Sequence, residues 1–421
     1  MIKLFDYQIN WVDKICNFYN NCNDPVKRAF LFLDMGTGKT YTALGILDRL
    51  KSDLHKVLIV CPKSLIEMWN DLLTKYFGFN VTVYEKIRNA ATKTGFITSK
   101  EPFAVCVINY EQFILLNYDV NVDMVIFDEV HKIKNVKGKI HNSISKYVKP
   151  RYSLGLTGTP ITKDYMDLFG ILTCVGPKTW NGLMSVQYKV KYIINGGLTS
   201  TYELMQSLLP CSVMGNLEDF VKLQGYDNVV IPVKLSQMQY AQLDIIYHSD
   251  LSALARIVEA QKITSGIEVN CGKRKLCEQL IDDIIYDNEK VVLFTKFTSE
   301  FEYFMNRYSG ICTGINGAVT ERAEAVRKFQ TDDNIKIFVG NLQAASLGLG
   351  LFAANKCIFY SETHSWGDMI QAMKRIYRTG QTRHCIYYHL LARDSIDELI
   401  YQSNINKSNL IEEFKRIYGG D

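Results

Sequence analysis

Short, nearly continuous apolar runs alternate with stretches of helical periodicity along this chain. Ala29–Leu33, Lys56–Cys61, Val81–Tyr84, Ala104–Asn109, Met124–Phe127 and the opening of Tyr152–Pro160 are each a few residues long and lack polar alternation. That is the pattern of strands buried on both faces. The second half repeats it at Lys290–Thr295, Ile335–Gly340 and Lys356–Tyr360. Between the runs, Leu4–Tyr19 places Tyr7, Trp11, Ile15 and Phe18 three or four apart, which predicts an amphipathic helix with Gln8 just off its stripe. A helix with Trp69 and Leu72 follows Pro62-Lys63-Ser64, and Gln237–Ala260 reads as helical. Alternating strands and helices predict an α/β architecture: parallel sheets covered by helices, with functional residues at the strands' C-terminal ends. Asp164 to about Lys290, broken by Gly196-Gly197 and Pro210, carries the weakest pattern.

Composition narrows the class. A length of 421 residues suits two or three domains, and 47% hydrophobic with 22% charged residues is ordinary for a globular protein. The net charge of +4 is mild, so nucleic-acid contacts must come from local basic clusters. No stretch of about 18 apolar residues appears, and MIKLFDYQIN does not read as a signal peptide. The eleven cysteines are scattered without a C-x-x-C pair, the usage of reduced, buried thiols in an intracellular protein rather than of a zinc site.

The chemistry gathers where strands end. In AFLFLDMGTGKTYT an apolar run stops at Asp34-Met35, Gly36-Thr37-Gly38 make a turn, and Lys39-Thr40 open a helix through Leu44 and Leu47. A turn without bulky side chains lets backbone N–H groups surround a phosphate at the positive end of a helix. Lys39 then reaches the β- and γ-phosphates and the Thr40 hydroxyl holds Mg²⁺. The full eight-residue pattern has a further glycine where Leu33 stands, and taken alone G-x-G-K-T also fits an ordinary strand–turn–helix corner. MVIFDEVH then delivers Asp128 and Glu129 to a strand end, suited to metal binding and to polarising a water. Two such acids buried without a cation would be expensive. Lys132, Lys134, Lys137 and Lys139 follow, a charged loop or a phosphate-facing one. The Gln8 amide, donor and acceptor together, suits an adenine edge as well as solvent. YSLGLTGTP ends in a hydroxyl-rich turn, Thr157-Gly158-Thr159. Late in the chain QAMKRIYRTGQ places Arg375 and Arg378 three apart, hence on one helical face, where they could stabilise charge on a γ-phosphate.

The order Gln8, GTGKT, CPKSL, INYE, DEVH and LTGTP resembles the first motor lobe of superfamily 2 helicases and translocases. KSLIEMW and DEVHKIKN are similar to its Swi/Snf-type branch in particular, as is LSQMQYAQLDIIY on the approach to a second lobe. The second half carries the matching strands and Arg378-Thr379-Gly380-Gln381, so the resemblance covers roughly residues 1–175 and 285–405. It departs at Ala344-Ala345-Ser346, where glycines are commoner, and in LLPCSVMGNLEDF, which lacks the usual arginines and lysine.

The resemblance implies two RecA-like lobes, 1–232 and 233–421, each a parallel sheet covered by helices, with ATP in the cleft between them. Gln8, Gly36, Thr37, Gly38, Lys39, Thr40 and Gly348 would bind the nucleotide, and Thr40 and Asp128 the Mg²⁺. Glu129 would activate water, while Arg375 and Arg378 complete the site. Lys63, Ser64, Asn109, Tyr110, Lys296, Asn341 and Trp366 would touch the nucleic-acid backbone, although Trp366 fits core packing equally well. The expected function is ATP-driven translocation on duplex or branched DNA, remodelling it in replication, recombination or repair. The alternatives are a strand-separating helicase on single-stranded DNA or RNA, and a non-motor binding protein switched by nucleotide. A monomeric motor with no membrane partner is expected, in a cytoplasmic setting like that of compact phage, viral and bacterial members.

Overall fold

The computed structural model describes residues 2–78, 81–83, 103–116, 119–161, 165–251, 253–266, 272–317, 322–342, 350–363 and 366–405. It forms two compact units, Met1–Phe220 and one beginning at Val221. The division falls twelve residues before the expected 232/233 boundary. The strand Tyr226–Val233 causes the difference, because it pairs within the second sheet.

In the first unit seven strands form one parallel sheet: β1 (Lys27–Leu33), β2 (Lys56–Cys61), β3 (Val81–Val83), β4 (Ala104–Asn109), β5 (Val120–Asp128), β6 (Val148–Thr157) and β7 (Ser212–Gly215). Their order is β3-β4-β2-β5-β6-β1-β7. Alternation along β1 serves both faces at once. Ala29, Leu31 and Leu33 enter a core built with Trp11, Ile15, Tyr19, Leu44 and Leu47, while Phe30 and Phe32 stack on each other on the opposite side. The first of those faces is covered by helices α1 (Asp6–Asn21), α2 (Lys39–Leu50) and α3 (Ile66–Phe77), where Trp69 and Leu73 are fully buried. On α1 the buried stripe runs Gln8, Trp11, Val12, Ile15, Cys16, Tyr19. Gln8 therefore lies on the stripe rather than beside it, and Tyr7 and Phe18 flank it half-buried.

The second unit holds six parallel strands: β8 (Tyr226–Val233), β9 (Val291–Thr295), β10 (Cys312–Ile315), β11 (Ile337–Asn341), β12 (Lys356–Phe359) and β13 (Cys385–Ala392). Their order is β10-β11-β9-β12-β13-β8. Three of them escape the apolar-run reading, among them the short edge strand β10, whose CTGI includes a threonine and a glycine. The edge strand β8 leaves most of its side chains exposed, and β13 interrupts its run with the buried polar His389. The final helix before the paired arginines spans Trp366–Met373 and stops there. Arg375 and Arg378 thus lie in the turns beyond it, not on one helical face. The reason is local tightening: the Arg375 and Ile376 amides donate to the carbonyls three residues back, Ala372 and Met373, and Gly380 reverses the chain at φ 103°.

Candidate active site

β1 runs into a turn in which Gly36 and Gly38 both have φ 84°, a region open to glycine and costly for other residues. A side chain there would also displace the Gln8 amide, since a Cβ on Gly38 would stand 2.1 Å from its Nε2. That nitrogen donates to the carbonyls of Thr37 at 3.1 Å and Gly38 at 3.5 Å, and Oε1 of the same amide accepts from the Phe5 amide at 3.0 Å. The amide expected to read an adenine edge is turned onto the loop, where it holds the turn and starts α1.

α2 begins at Lys39 directly behind Gly38, and no described side chain caps it, so its first N–H groups and positive end face the turn. Thr37, fully buried, donates its hydroxyl to the Asp34 carbonyl at 2.8 Å. Lys39 Nζ donates to the carbonyls of Leu33 at 2.8 Å and Asp34 at 3.0 Å, which holds the ammonium at the end of β1. Thr40, half-buried, stands in the first turn of α2. Gly348, the remaining nucleotide candidate, lies outside the described residues.

Two strands away, Asp128 ends β5 level with Leu156 of β6, which is itself level with Leu31 of β1. At about 4.8 Å per strand, the acid is about 10 Å across the sheet from β1. Its carboxylate is buried and doubly bonded: Trp69 Nε1–H donates to Oδ2 at 2.9 Å and the Glu129 amide to Oδ1 at 3.0 Å. Burial first, then the negative charge of Glu129, push this carboxyl up to about 6, while the Trp69 bond and the Lys39 charge pull it back. A cation there would relieve both the burial and the repulsion. Among the described residues no group of three or more His, Cys, Asp or Glu side chains gathers to cage a metal. Mg²⁺ needs no such cage, taking one or two protein oxygens and filling its octahedron with water and phosphate. Asp128 and the Thr40 hydroxyl fit that requirement.

The raised value has a stability consequence with a definite sign. A carboxyl that binds its proton more tightly when folded favours the folded state below its ordinary pKa and loses that contribution as pH rises through about 6. In nucleotide-free protein, the melting temperature of wild type relative to Asp128→Ala is expected to fall between about pH 4 and about pH 7. Thermal unfolding of the two proteins across that range checks it, and a constant difference would contradict it.

Glu129 follows with φ 53° and ψ 52°, a left-handed conformation that costs a non-glycine residue roughly 1–2 kcal/mol. Its Oε2 lies 3.2 Å from Nδ1 of His131, and that nitrogen lies 3.0 Å from the Thr157 hydroxyl at the end of β6. Thr157 Oγ1 in turn accepts from the Thr159 amide at 3.1 Å. The hydroxyl-rich turn is thereby joined to the acid through His131, a residue to which the sequence motif alone assigned no role. Of the lysines that follow, Lys134 pairs with Asp167 at 3.2 Å and Lys132 with Glu111 at 3.7 Å.

The candidate track contacts divide. Lys63 is exposed and Ser64 half-buried in the turn after β2. Asn109 and Tyr110, in contrast, are buried after β4. Asn109 Oδ1 accepts from the Gln112 amide at 2.7 Å, capping the helix Tyr110–Phe113, and the Tyr110 hydroxyl donates to the Asp128 carbonyl at 2.8 Å. Both side chains are committed inside the unit, Asn109 to its helix cap and Tyr110 to the acidic strand end.

In the second unit Lys296 and Asn341 follow β9 and end β11 on the same sheet edge, and Asn341 Nδ2 donates to the Lys296 carbonyl at 2.8 Å. Lys296 is half-buried, its ammonium bonded to Gln261; burial lowers its pKa, against the pull of Glu300 and Asp397. Trp366 is half-buried at the start of its helix. Arg375 is buried, and its carbonyl accepts from the Leu351 amide at 2.7 Å; Arg378 is half-exposed. Gln381 ties down the arginine turn: Nε2 donates to the carbonyls of Phe352 and Ala354 at 3.3 and 2.7 Å, and Oε1 accepts from the Thr382 and Arg383 amides at 3.1 Å.

The chain matches the SNF2-related domain over residues 7–280 and the helicase conserved C-terminal domain over residues 272–380. Similar curated proteins include a "DNA repair and recombination protein RAD54-like" of Drosophila persimilis, 24% identical over 90% of this chain and 59% of that protein. A "DNA excision repair protein CSB" of Oryza sativa subsp. japonica is 23% identical over 96% of the chain and 41% of its own length. A mouse "Chromodomain-helicase-DNA-binding protein 1-like" is 24% identical over 97% and 50%. The chain thus spans about two fifths to three fifths of these relatives. Among solved structures, a Sulfolobus solfataricus SWI2/SNF2 ATPase core in complex with dsDNA aligns with 98% of this chain and 92% of its own, at 21% identity and a TM-score of 0.48. No helix among the described residues is long and apolar enough to cross a membrane.

Proposed function

Since the chain belongs to the SNF2-related domain family of superfamily 2 motors, we propose that it is a DNA-stimulated ATPase that translocates along the duplex backbone and remodels DNA in recombination or repair. One observation carries this reading: a glycine turn with Lys39 at a helix start and the adjacent acids Asp128, buried, and Glu129, partly exposed, share one sheet edge of one unit.

In the proposed reaction the α2 N-terminus and Lys39 bind the β- and γ-phosphates of ATP. Lys39 exchanges the two carbonyls at the end of β1 for phosphate oxygens. Asp128 and Thr40 would hold Mg²⁺, which when bound would neutralise charge developing on the phosphates. Glu129 orients a water and takes its proton as the water oxygen bonds to the γ-phosphorus and the bond to ADP breaks. His131 orients Glu129 and links it to Thr157. Arg375 and Arg378 supply positive charge to the γ-phosphoryl group during turnover, and Gln381 keeps their turn in shape. Lys63, Ser64, Lys296 and Asn341 meet phosphates of the track, which makes binding independent of base sequence. The curated relatives' names speak of DNA, repair and recombination, which favours DNA over RNA as the partner.

The test is ATP hydrolysis measured without polynucleotide and with single-stranded, duplex, four-way and RNA ligands. Duplex or four-way DNA is expected to stimulate most. The apparent affinity for that DNA should fall about tenfold between about 50 and about 200 mM salt, as counterion release by the two named lysines requires. Stimulation by single strands or RNA alone would replace this reading with a strand-separating helicase. An equal rate in all five conditions would overturn the motor.

A further inference from the structure

Asp128 is gripped by two aromatic side chains that the reaction above does not use. Trp69 and Tyr110 are both fully buried. Trp69 fixes one carboxylate oxygen through its indole N–H at 2.9 Å, and Tyr110 fixes the main-chain carbonyl through its hydroxyl at 2.8 Å. With the Glu129 amide on the other carboxylate oxygen at 3.0 Å, rigid donors hold three oxygens of one residue. A buried indole or phenol needs an acceptor somewhere, and a backbone carbonyl would serve. Here both take theirs from the same acid, and both reach it from the same side of its strand. Trp69 comes from the helix after β2, which pairs with β5, and Tyr110 from the helix after β4, beyond β2. Each helix also begins at a candidate track segment. The turn Lys63–Leu65 runs directly into α3, which carries Trp69, and Asn109 caps the helix that Tyr110 opens.

We infer that Trp69 and Tyr110 are positioning residues that set the orientation of Asp128 toward its Mg²⁺, and that α3 is the rigid link from the Lys63–Ser64 turn to that carboxylate. The inference rests on the assignment of Asp128 to Mg²⁺ proposed above. Donors that orient a metal-binding group usually contribute 10–100-fold to metal affinity or activity. A ring that merely fills the core contributes to stability alone.

The experiment measures ADP affinity by calorimetry in Mg²⁺ and in EDTA, alongside kcat at saturating duplex, for wild type, Trp69→Phe and Tyr110→Phe. Trp69→Phe should leave the EDTA affinity unchanged and cut the gain from Mg²⁺ about tenfold, with a matching loss in kcat. Tyr110→Phe, which removes one oxygen from a shape otherwise kept, should cut the gain from Mg²⁺ in the same direction, by less than Trp69→Phe because it frees the carbonyl and not the carboxylate. Should Trp69→Phe fail to fold, Tyr110→Phe decides the question. Folded variants with the wild-type gain from Mg²⁺, differing only in melting temperature, would overturn the inference. A wild-type chain that binds ADP equally in Mg²⁺ and EDTA would instead remove the metal assignment on which it stands, a separate result.

Discussion

Lys39→Ala is expected to lower ATP turnover by about 10³-fold, at the upper end of what loss of one preorganised charged donor costs. Lys39 is the cation that the fold brings to the end of β1 beside the glycine turn, and its ammonium is already held there by two carbonyls. Alanine keeps the helix start, because α2 begins from Gly38 by backbone conformation rather than through a lysine contact. The backbone cradle therefore survives while the charge is lost. Folding should be affected little, with two carbonyls losing one donor at about 1 kcal/mol. Hydrolysis rates and nucleotide calorimetry on the folded variant check this. Turnover within about tenfold of wild type would mean that phosphate is bound elsewhere.

Glu129→Gln is the second large effect. Glutamine matches the shape and tolerates the same φ of 53° no worse, but it cannot take a proton. Turnover should fall by about 10²–10⁴-fold, the usual contribution of a general base. ATP binding should persist, because the variant also removes the negative charge that raises the Asp128 carboxyl, leaving that acid easier to ionise. The same relief means that the nucleotide-free variant should melt no lower than wild type. A folded Glu129→Gln protein that hydrolyses ATP at the wild-type rate would assign water activation to another group. One that loses ATP binding would make Glu129 part of the binding site instead. The bond from His131 to Thr157 bears on this choice, because it gives Glu129 a fixed partner on the next strand.

The parts of this site that could be read in advance share a physical character. Phosphate turn, helix start and acid-bearing strand end are each local: a buried parallel strand writes a continuous apolar run, and the chemistry follows within two or three residues. Gly36, Gly38, Lys39, Asp128 and Glu129 all stand where such reading put them, at strand ends of one sheet. Elements without a buried, local signature were misplaced. The edge strand β8 is mostly exposed and carries no core pattern, so the boundary moved to Phe220. Arg375 and Arg378 had helical spacing, yet three-residue turns and Gly380 took the chain out of the helix first.

Long-range hydrogen bonding decided the remaining roles. Gln8 looked solvated or adenine-directed, and its amide is instead spent on a loop 29 residues away. Tyr110 looked like a track contact and became a post beneath Asp128, while Trp69 reaches the same acid across 59 residues of sequence. Nothing in spacing or periodicity encodes such partners, because a side chain's donor is assigned by which strands lie adjacent, and strand order is a property of the assembled sheet. By itself the sequence determined the site's parts and their frame: the phosphate turn, the acid pair, the two parallel sheets and the order that marks the family. Tertiary structure alone decided which of the polar residues near those parts face outward and which are consumed in holding the acid still, since only packing settles whether a donor meets water or a carboxylate.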